Sequence, residues 1–514
     1  MTLLLGIDVG TSAVKALVSD ERGNIIRTAS APLDLSTPRA GWSEQDPGQW
    51  WEATVAAVRA LVADPDVRPA EIGAIGLSGQ MHGLVLLGPA ARPPCPQALR
   101  PAILWNDQRS APQCTHIENL AGGRAALVRA CGNAALPGFT APKILWVREH
   151  EPDAFRQSSL ILLPKDYVRF CLTGQATQDV SDASGTMLLD ASTRRWNHTL
   201  LSLLGLDPGL FPPVLESASP AGSLCGEAAA ELGLPPGIVV AAGAGDNMAG
   251  AIGAGVVEPG QCLATIGTSG VIYTHSPTPL ADLGQSGAAP SGRTHLFLAG
   301  DGDRTRPGGY SVTGCTLSAG GSLQWLHDSL FPEVSYDQLL ADAAAVAPGA
   351  EGLFFLPHLT GERAPHPDPH ARGAFVGLSL RHRRGHLVRA VLEGVTFTMA
   401  QILDIQRSLG LNPPPVIRLG GGGARAQLWR QMQADVYNTP VALTNTEDGP
   451  ALGAAILAGV ALGAWTSVPD ACRAVVRETA RITPERPERY APARAVFDRL
   501  YHDLRPAFAE LSQL

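Results

Sequence analysis

Asp246 stands alone as a carboxylate in the glycine-rich stretch Gly243-Ala-Gly-Asp-Asn-Met-Ala-Gly-Ala-Ile-Gly253. Glycine strips the backbone of side chains, so another chain or a ligand can come close. A carboxylate there can take a proton from a hydroxyl held beside it. It can also cap a helix begun by Asn247-Met-Ala-Gly-Ala-Ile, because Asp is a favoured cap residue. The two readings are compatible. A second carboxylate, Asp8, opens Asp8-Val-Gly-Thr-Ser-Ala-Val-Lys15. This turn offers backbone N–H groups and the hydroxyls of Thr11 and Ser12. Such a turn can cradle phosphate oxygens while the carboxylate holds a hydrated Mg²⁺; an ordinary tight hairpin would need no more. Ser78-Gly-Gln-Met-His-Gly83 sets Met81 and His82 between glycines, where they can meet a small polar ligand or serve the structure.

These side chains need strands that end together. Leu3-Leu-Leu-Gly-Ile-Asp-Val, Ala13-Val-Lys-Ala-Leu-Val-Ser and the run from Ile25 predict an antiparallel meander. Ile72-Gly-Ala-Ile-Gly-Leu predicts a buried strand leading into Met81 and His82, and Leu84-Val-Leu-Leu another. Ala102-Ile-Leu-Trp-Asn-Asp-Gln-Arg109 ends a strand in polar groups, among them Trp105 and Asp107. Residues 110–235 carry several helical stretches, and Ser181-Asp-Ala-Ser-Gly-Thr between them is a loop that could line a cleft. Pro236-Gly-Ile-Val-Val-Ala-Ala is the strand that delivers Asp246. Gln261-Cys-Leu-Ala-Thr-Ile-Gly-Thr-Ser-Gly-Val-Ile-Tyr273 then echoes the first turn, which predicts two related domains sharing a cleft. Val416-Ile-Arg-Leu enters four glycines and a helix from Ala426, a combination that suits close approach by a nucleotide.

The chain of 514 residues, 45% hydrophobic, is long enough for several domains. Its charge of −8 argues against a general nucleic-acid surface. None of the lysines Lys15, Lys143 and Lys165 follows a glycine loop as a P-loop requires. The eight cysteines show no zinc spacing, and free thiols in a reducing compartment account for them. The start has no secretory pattern, and the uncharged run Pro450–Pro469 holds too few strongly apolar residues for a bilayer. A cytoplasmic protein is expected.

In order along the chain, Asp8-Val-Gly-Thr-Ser, Trp42-Ser-Glu-Gln-Asp-Pro, Ser78-Gly-Gln-Met-His-Gly83, Ile103-Leu-Trp-Asn-Asp, Pro137-Gly-Phe-Thr-Ala-Pro-Lys143 and Leu163-Pro-Lys-Asp-Tyr167 precede Gly245-Asp-Asn. Gly267-Thr-Ser-Gly270, Gly361-Glu-Arg-Ala-Pro365 and Leu419-Gly-Gly-Gly follow it. Together they resemble the FGGY family of carbohydrate kinases over nearly the whole chain. The resemblance implies an α/β fold of two actin/hexokinase-like (ribonuclease H-like) domains facing a central cleft. It divides the chain into a sugar-binding domain, 1–252, and a nucleotide-binding domain, 253–514, with a helical tail. It implies ATP-dependent, Mg²⁺-assisted phosphorylation of a sugar, and Gln-Met-His-Gly directs it toward D-xylulose. By position, Asp246 is implied as the base and Asp8 as the carboxylate near the metal. Met81, His82, Trp105, Asp107 and Asn247 are implied at the sugar. Thr11, Ser12, Gly267 and Thr268 are implied at the phosphates, and Gly320, Gln324, Gly422 and Gly423 at the rest of the nucleotide. The partners are then sugar and ATP, without nucleic acid or membrane; a homodimer is allowed. One departure is the stretch Ala299–Tyr310, longer than the family pattern and placed before the adenine-side helix, where it brings the nucleotide contacts into question. A kinase for another ketose or polyol, or a non-catalytic sensor on the same scaffold, remains open because fold does not fix function.

Overall fold

The computed structural model describes residues 2–284 and 290–512. Two seven-stranded sheets organise it. The first runs Pro220–Ser223, Val239–Ala241, Ile72–Gly79, Leu3–Val9, Ala13–Asp20, Ile25–Pro32, with Ala244–Gly245 also pairing with Ile72–Gly79. The second runs His295–Leu298, Tyr310–Thr316, Gly270–Ser276, Cys262–Ile266, Ile417–Gly420, Val441–Thr444, Glu478–Ile482. In each, two antiparallel strands are joined by Gly-Thr-Ser, a third antiparallel strand lies against the second (Ile25–Pro32 or Tyr310–Thr316), and the first takes a parallel partner, Ile72–Gly79 or Ile417–Gly420; the second sheet adds His295–Leu298 at its edge. The short echo in the sequence is therefore a repeated topology.

The helices Asp246–Gly253 and Gly449–Leu462 cross between the sheets. The second comes from the C-terminal half, yet it packs on Leu3–Val9 and Ile72–Gly79 of the first sheet. Its Ala451, Leu452, Ala455 and Ile456 join the core that also holds Met248, Ala249 and Ile252. Small residues make this crossing close: a Cβ on Gly253 or Gly453 would run into the backbone of the opposing helix. The uncharged run from Pro450 is thus a buried helix, as its composition predicts.

Ala299–Tyr310 leads into the strand Tyr310–Thr316. It fastens the second sheet to the first half: Ala218 N donates to Gly302 O at 3.0 Å, and Arg194 Nη1 to Gly308 O at 3.0 Å. The neighbouring strand is tied in the same way, Leu298 N donating to Ser184 Oγ at 3.1 Å and Asn133 Nδ2 to Leu296 O at 2.8 Å. The stretch is an inter-half brace.

Candidate active site

Register places the two carboxylates. Asp8 lies opposite Ser78, and Ala244 and Gly245 lie opposite Ser78 and Gly79 on the other side of the same strand. Asp8 and Asp246 therefore rise on either side of the Ile72–Gly79 strand, at its C-terminal end. Gly245 occupies the cap position of the Asp246–Gly253 helix and Asp246 the first helical one. The capping reading thus shifts by one residue. Asp246 Oδ1 accepts from Asn247 N at 2.7 Å and from Asn247 Nδ2 at 3.1 Å.

Asp246 opens onto a cleft of about 900 Å³. Lys15, Asn247, Gly250, Thr265 and Tyr273 line it together with Gly420, Gly421, Gly422 and Arg425. One space thus joins the proposed base to the glycine loop. Asp246 itself is half-buried on this floor. That burial, and then the charge of Asp8, pushes its pKa up to about 7, against the N–H bond from Asn247.

Asp8 is raised to about 6, chiefly by burial; Ser78 and Lys15 oppose the shift, and Asp448 adds to it. Its Oδ1 accepts the Ser78 hydroxyl at 2.9 Å. Lys15 itself is paired with Asp448 at 2.9 Å, across 433 residues of chain. Asp448 raises Asp8 and Asp8 in turn raises Asp246, so three carboxylates act on one another at this end of the cleft; carboxylate oxygen is the donor that a hard divalent cation takes.

Met81 and His82 stand beside the Asp246 turn. A Cβ on Gly245 would come within 2.6 Å of Met81 Cγ, so glycine lets Met81 close against the floor. His82 Nδ1 is 2.8 Å from Gly185 O, and its ring meets Phe139 at 4.8 Å and Phe297 at 5.9 Å. Phe297 comes from the second sheet, so both halves build this wall. Burial, helped by the charge of Lys143, lowers the His82 pKa to about 3. The imidazole therefore stays neutral. Ser181–Thr186, expected as a cleft loop, is mostly a buried helical turn, Val180–Ser184, backing that wall.

Several expectations change in detail. Asp107 is fully buried and salt-bridged to Arg109, with Ser43 N donating to Oδ2 at 2.6 Å. It holds the polypeptide rather than facing the cleft. Trp105 Nε1 donates to Thr11 Oγ1 at 3.0 Å, and that hydroxyl donates to Gln80 Oε1 at 3.2 Å. Thr11's side chain thus ties the first turn to Trp105 and Gln80, while Ser12 is exposed. Gly320 and Gly423 have packing reasons: a Cβ on Gly320 would meet Gly267 O at 2.5 Å, and one on Gly423 would meet Ile266 Cβ at 2.6 Å. The first amides of the Gly320–Leu330 helix bond to the second turn, Gly320 N to Gly267 O at 2.8 Å and Gly321 N to Thr268 O at 3.1 Å. Thr268 and Gln324 are exposed, and Gly422 lines the cleft.

Sequence reasoning passed over the buried charges beneath Asp246. Lys165 Nζ lies 2.5 Å from Asp166, 2.8 Å from Asp179 and 3.6 Å from Asp182. Arg169 pairs with Asp166 at 2.9 Å. The three carboxylates are close enough to hold a metal ion, but the ammonium of Lys165 sits among them. Burial opposes charge on Lys165, and the three carboxylates outweigh it and raise its pKa. Burial raises Asp182 well above the carboxylate range, more than Lys165 lowers it. With Asp182 protonated, two cations face two carboxylates. The network reaches the floor through Asp179 Oδ2, which accepts from Ser181 Oγ at 2.6 Å; Ser181 Oγ accepts from Gly245 N at 3.1 Å. Leu163-Pro-Lys-Asp-Tyr167 was the signal for it.

The raised carboxylates make a pH prediction. A base must be ionised, so kcat/KM for the sugar should rise with pH through an inflection near 7 and flatten above it. Below the inflection it should fall about tenfold per pH unit. Neutral His82 contributes no second inflection. A profile flat from pH 5.5 to 8.5 would remove proton acceptance by Asp246 from the rate-limiting events.

Comparison with known proteins extends the picture. The FGGY family of carbohydrate kinases, N-terminal domain, matches residues 3–253, and its C-terminal domain matches residues 262–462. The xylulose kinase of Bacillus subtilis (strain 168) is 40% identical over 485 residues, covering 94% of this chain and 93% of its own. The structure of a "xyloylose kinase" from Brucella ovis is 37% identical with a TM-score of 0.87, covering 99% of this chain and 100% of the other. A gluconate kinase from Lactobacillus acidophilus is 26% identical with a TM-score of 0.90, covering 99% of each chain. The backbone is shared by kinases named for different sugars, so the sugar must be argued from side chains. Among the described residues no helix is long and apolar enough to cross a membrane.

Proposed function

The chain belongs to the FGGY family of carbohydrate kinases, and from that premise we propose that it transfers the γ-phosphoryl group of ATP to D-xylulose, giving D-xylulose 5-phosphate and ADP. The observation that carries the reading is the single cleft running from Asp246 to Gly420–Gly422, with the Met81-His82 wall beside its catalytic end. Phosphoryl transfer asks the protein for positioning and charge stabilisation more than covalent chemistry. Asp246 orients the reacting hydroxyl and accepts its proton. Met81 and neutral His82 border the sugar. The backbone of the two Gly-Thr-Ser turns faces the phosphates, and Gly422 borders the rest of the nucleotide. Mg²⁺, when bound, neutralises phosphate charge; Asp8 is the residue that would hold it, directly or through water. The cytoplasm, where ATP and free thiols coexist, is the proposed compartment.

ADP release measured across D-xylulose, D-ribulose, L-ribulose, L-xylulose, glycerol, gluconate and L-fuculose tests the assignment. D-Xylulose should give the highest kcat/KM. A higher value with gluconate or glycerol would assign the site to another member of the family. With D-xylulose, His82→Ala should raise the sugar KM about 3- to 10-fold, the range for one lost hydrogen bond, and leave the ATP KM nearly unchanged. A larger change in the ATP KM would take His82 out of the sugar site.

A further inference from the structure

We infer that Arg363 is a sugar-binding, specificity-determining residue whose guanidinium hydrogen-bonds the oxygens at the end of the sugar remote from Asp246. The inference rests on the ketose-kinase reading above. Arg363 belongs to the second half, in the loop Gly361-Glu-Arg-Ala-Pro-His-Pro-Asp368. Its backbone is held on both sides. Glu362, 4% exposed, accepts at Oε1 from Leu317 N at 3.1 Å and Arg363 N at 2.8 Å. Its Oε2 accepts from Thr316 Oγ1 at 2.7 Å and lies 2.9 Å from His358 Nδ1. Ala364 N donates to Cys315 O at 3.1 Å.

From that anchor the side chain reaches the first half. Arg363 Nη2 is 3.6 Å from the point where Gly138 would carry a Cβ, and Trp105 O is 2.5 Å from the same point. Any larger residue at 138 would collide there, so glycine keeps the gap open. Gly138 O and His82 O both accept from Lys143 Nζ, at 2.8 and 2.9 Å. The wall therefore runs from Asp246 past Met81 and His82 to Gly138 and Arg363. The hydroxyl being phosphorylated lies at Asp246, so Arg363 meets the opposite end, which in D-xylulose carries the C1 hydroxyl and the C2 carbonyl.

Among the described residues no hydrogen-bond acceptor is recorded for the guanidinium. Among the described residues no carboxylate pairs with Arg363, whereas Arg100, Arg109, Arg194 and Arg389 each have one. Glu362, its chain neighbour, is committed to the loop. A half-buried cation with unpaired N–H donors favours a ligand rich in oxygen. His295, 3% exposed and 5.5 Å from Phe139, adds two ring nitrogens without partners to the same wall. Burial, and next the charge of Arg363, holds His295 neutral. Polar atoms left open among aromatic rings suit a polyhydroxylated ligand.

Kinetics with D-xylulose and 1-deoxy-D-xylulose test the assignment. In Arg363→Met the D-xylulose KM should rise about 10- to 100-fold, the range for hydrogen bonds to a charged group, with the ATP KM within about twofold. The unaltered enzyme should use the deoxysugar less well than D-xylulose, and Arg363→Met should lose most of that difference. A D-xylulose KM within twofold of the parent's overturns the proposal. So does an equal rise in the ATP KM, or an unchanged penalty for the deoxysugar. Should Arg363→Met not be recovered folded, calorimetry on the unaltered protein decides, and equal affinity for the two sugars overturns the proposal. A parent that prefers a different sugar defeats the D-xylulose reading instead, and Arg363→Met is then scored on that sugar's KM against that for ATP.

Discussion

Asp246→Asn is expected to lower turnover by about 10²–10⁴-fold, the usual worth of a positioned general base. The substitution keeps the shape and one amide oxygen, so the bonds from Asn247 N and Nδ2 to Oδ1 can persist. It removes the basicity and the charge. Stability should move the other way. The folded-state pKa of Asp246 is raised to about 7 from 3.8, so its contribution to stability is fully present below about pH 4 and is lost as pH rises through 7. At pH 8 the ionised, buried carboxylate disfavours folding, and Asn relieves it. The thermal midpoint of Asp246→Asn without ligands should therefore equal or exceed that of the parent at pH 8. ATP affinity should change little, since Asn247, Thr265 and Gly420–Gly422 still line the cleft. A folded variant turning over within about threefold of the parent would show that Asp246 only begins the helix.

Lys165→Met should be the most destabilising of the single substitutions considered. Lys165 is fully buried, and Met leaves Asp166, Asp179 and Asp182 with Arg169 as their cation. Removing one partner of a buried ion pair costs about 3–5 kcal/mol, because uncompensated charge stays out of water. At the sensitivity of a domain of this size, that lowers the melting temperature by roughly 6–20 °C. The deficit should shrink at lower pH. Without the ammonium the folded-state carboxylates bind protons more tightly than the unfolded ones, so acid relieves the strain and alkali restores it. Adding Asp179→Asn to Lys165→Met should recover part of the loss, because the sites share one network and do not add. A melting temperature within 2 °C of the parent at pH 8 would mean that the cluster carries no net stabilising charge balance.

The sequence by itself determined the pieces whose chemistry is local. Asp246 on a glycine floor, the Gly-Thr-Ser turns, the Met81-His82 strand end and the strands around them follow from neighbouring residues, because turns and strand alternation are written within a few positions. The ordered motifs then pointed to the carbohydrate kinases. Tertiary structure decided what each side chain faces. Asp107 stands next to polar residues in the sequence, and only the fold turns it inward onto Arg109. Gly320 and Gly423 read as ligand contacts from the sequence, and the fold adds a packing reason for each that no local pattern shows, because protein atoms lie where a Cβ would stand. Lys15 meets Asp448, and Arg363 reaches Gly138, only after the halves pack together. The helix Gly449–Leu462 leaves its own half to cover the first sheet, a placement set by matching small residues on two distant segments. Such long-range matches have no periodic signature along the chain. They decide which groups are buried and which are paired, and so why burial beside Asp8 raises Asp246 to about 7 and why no carboxylate among the described residues pairs with Arg363.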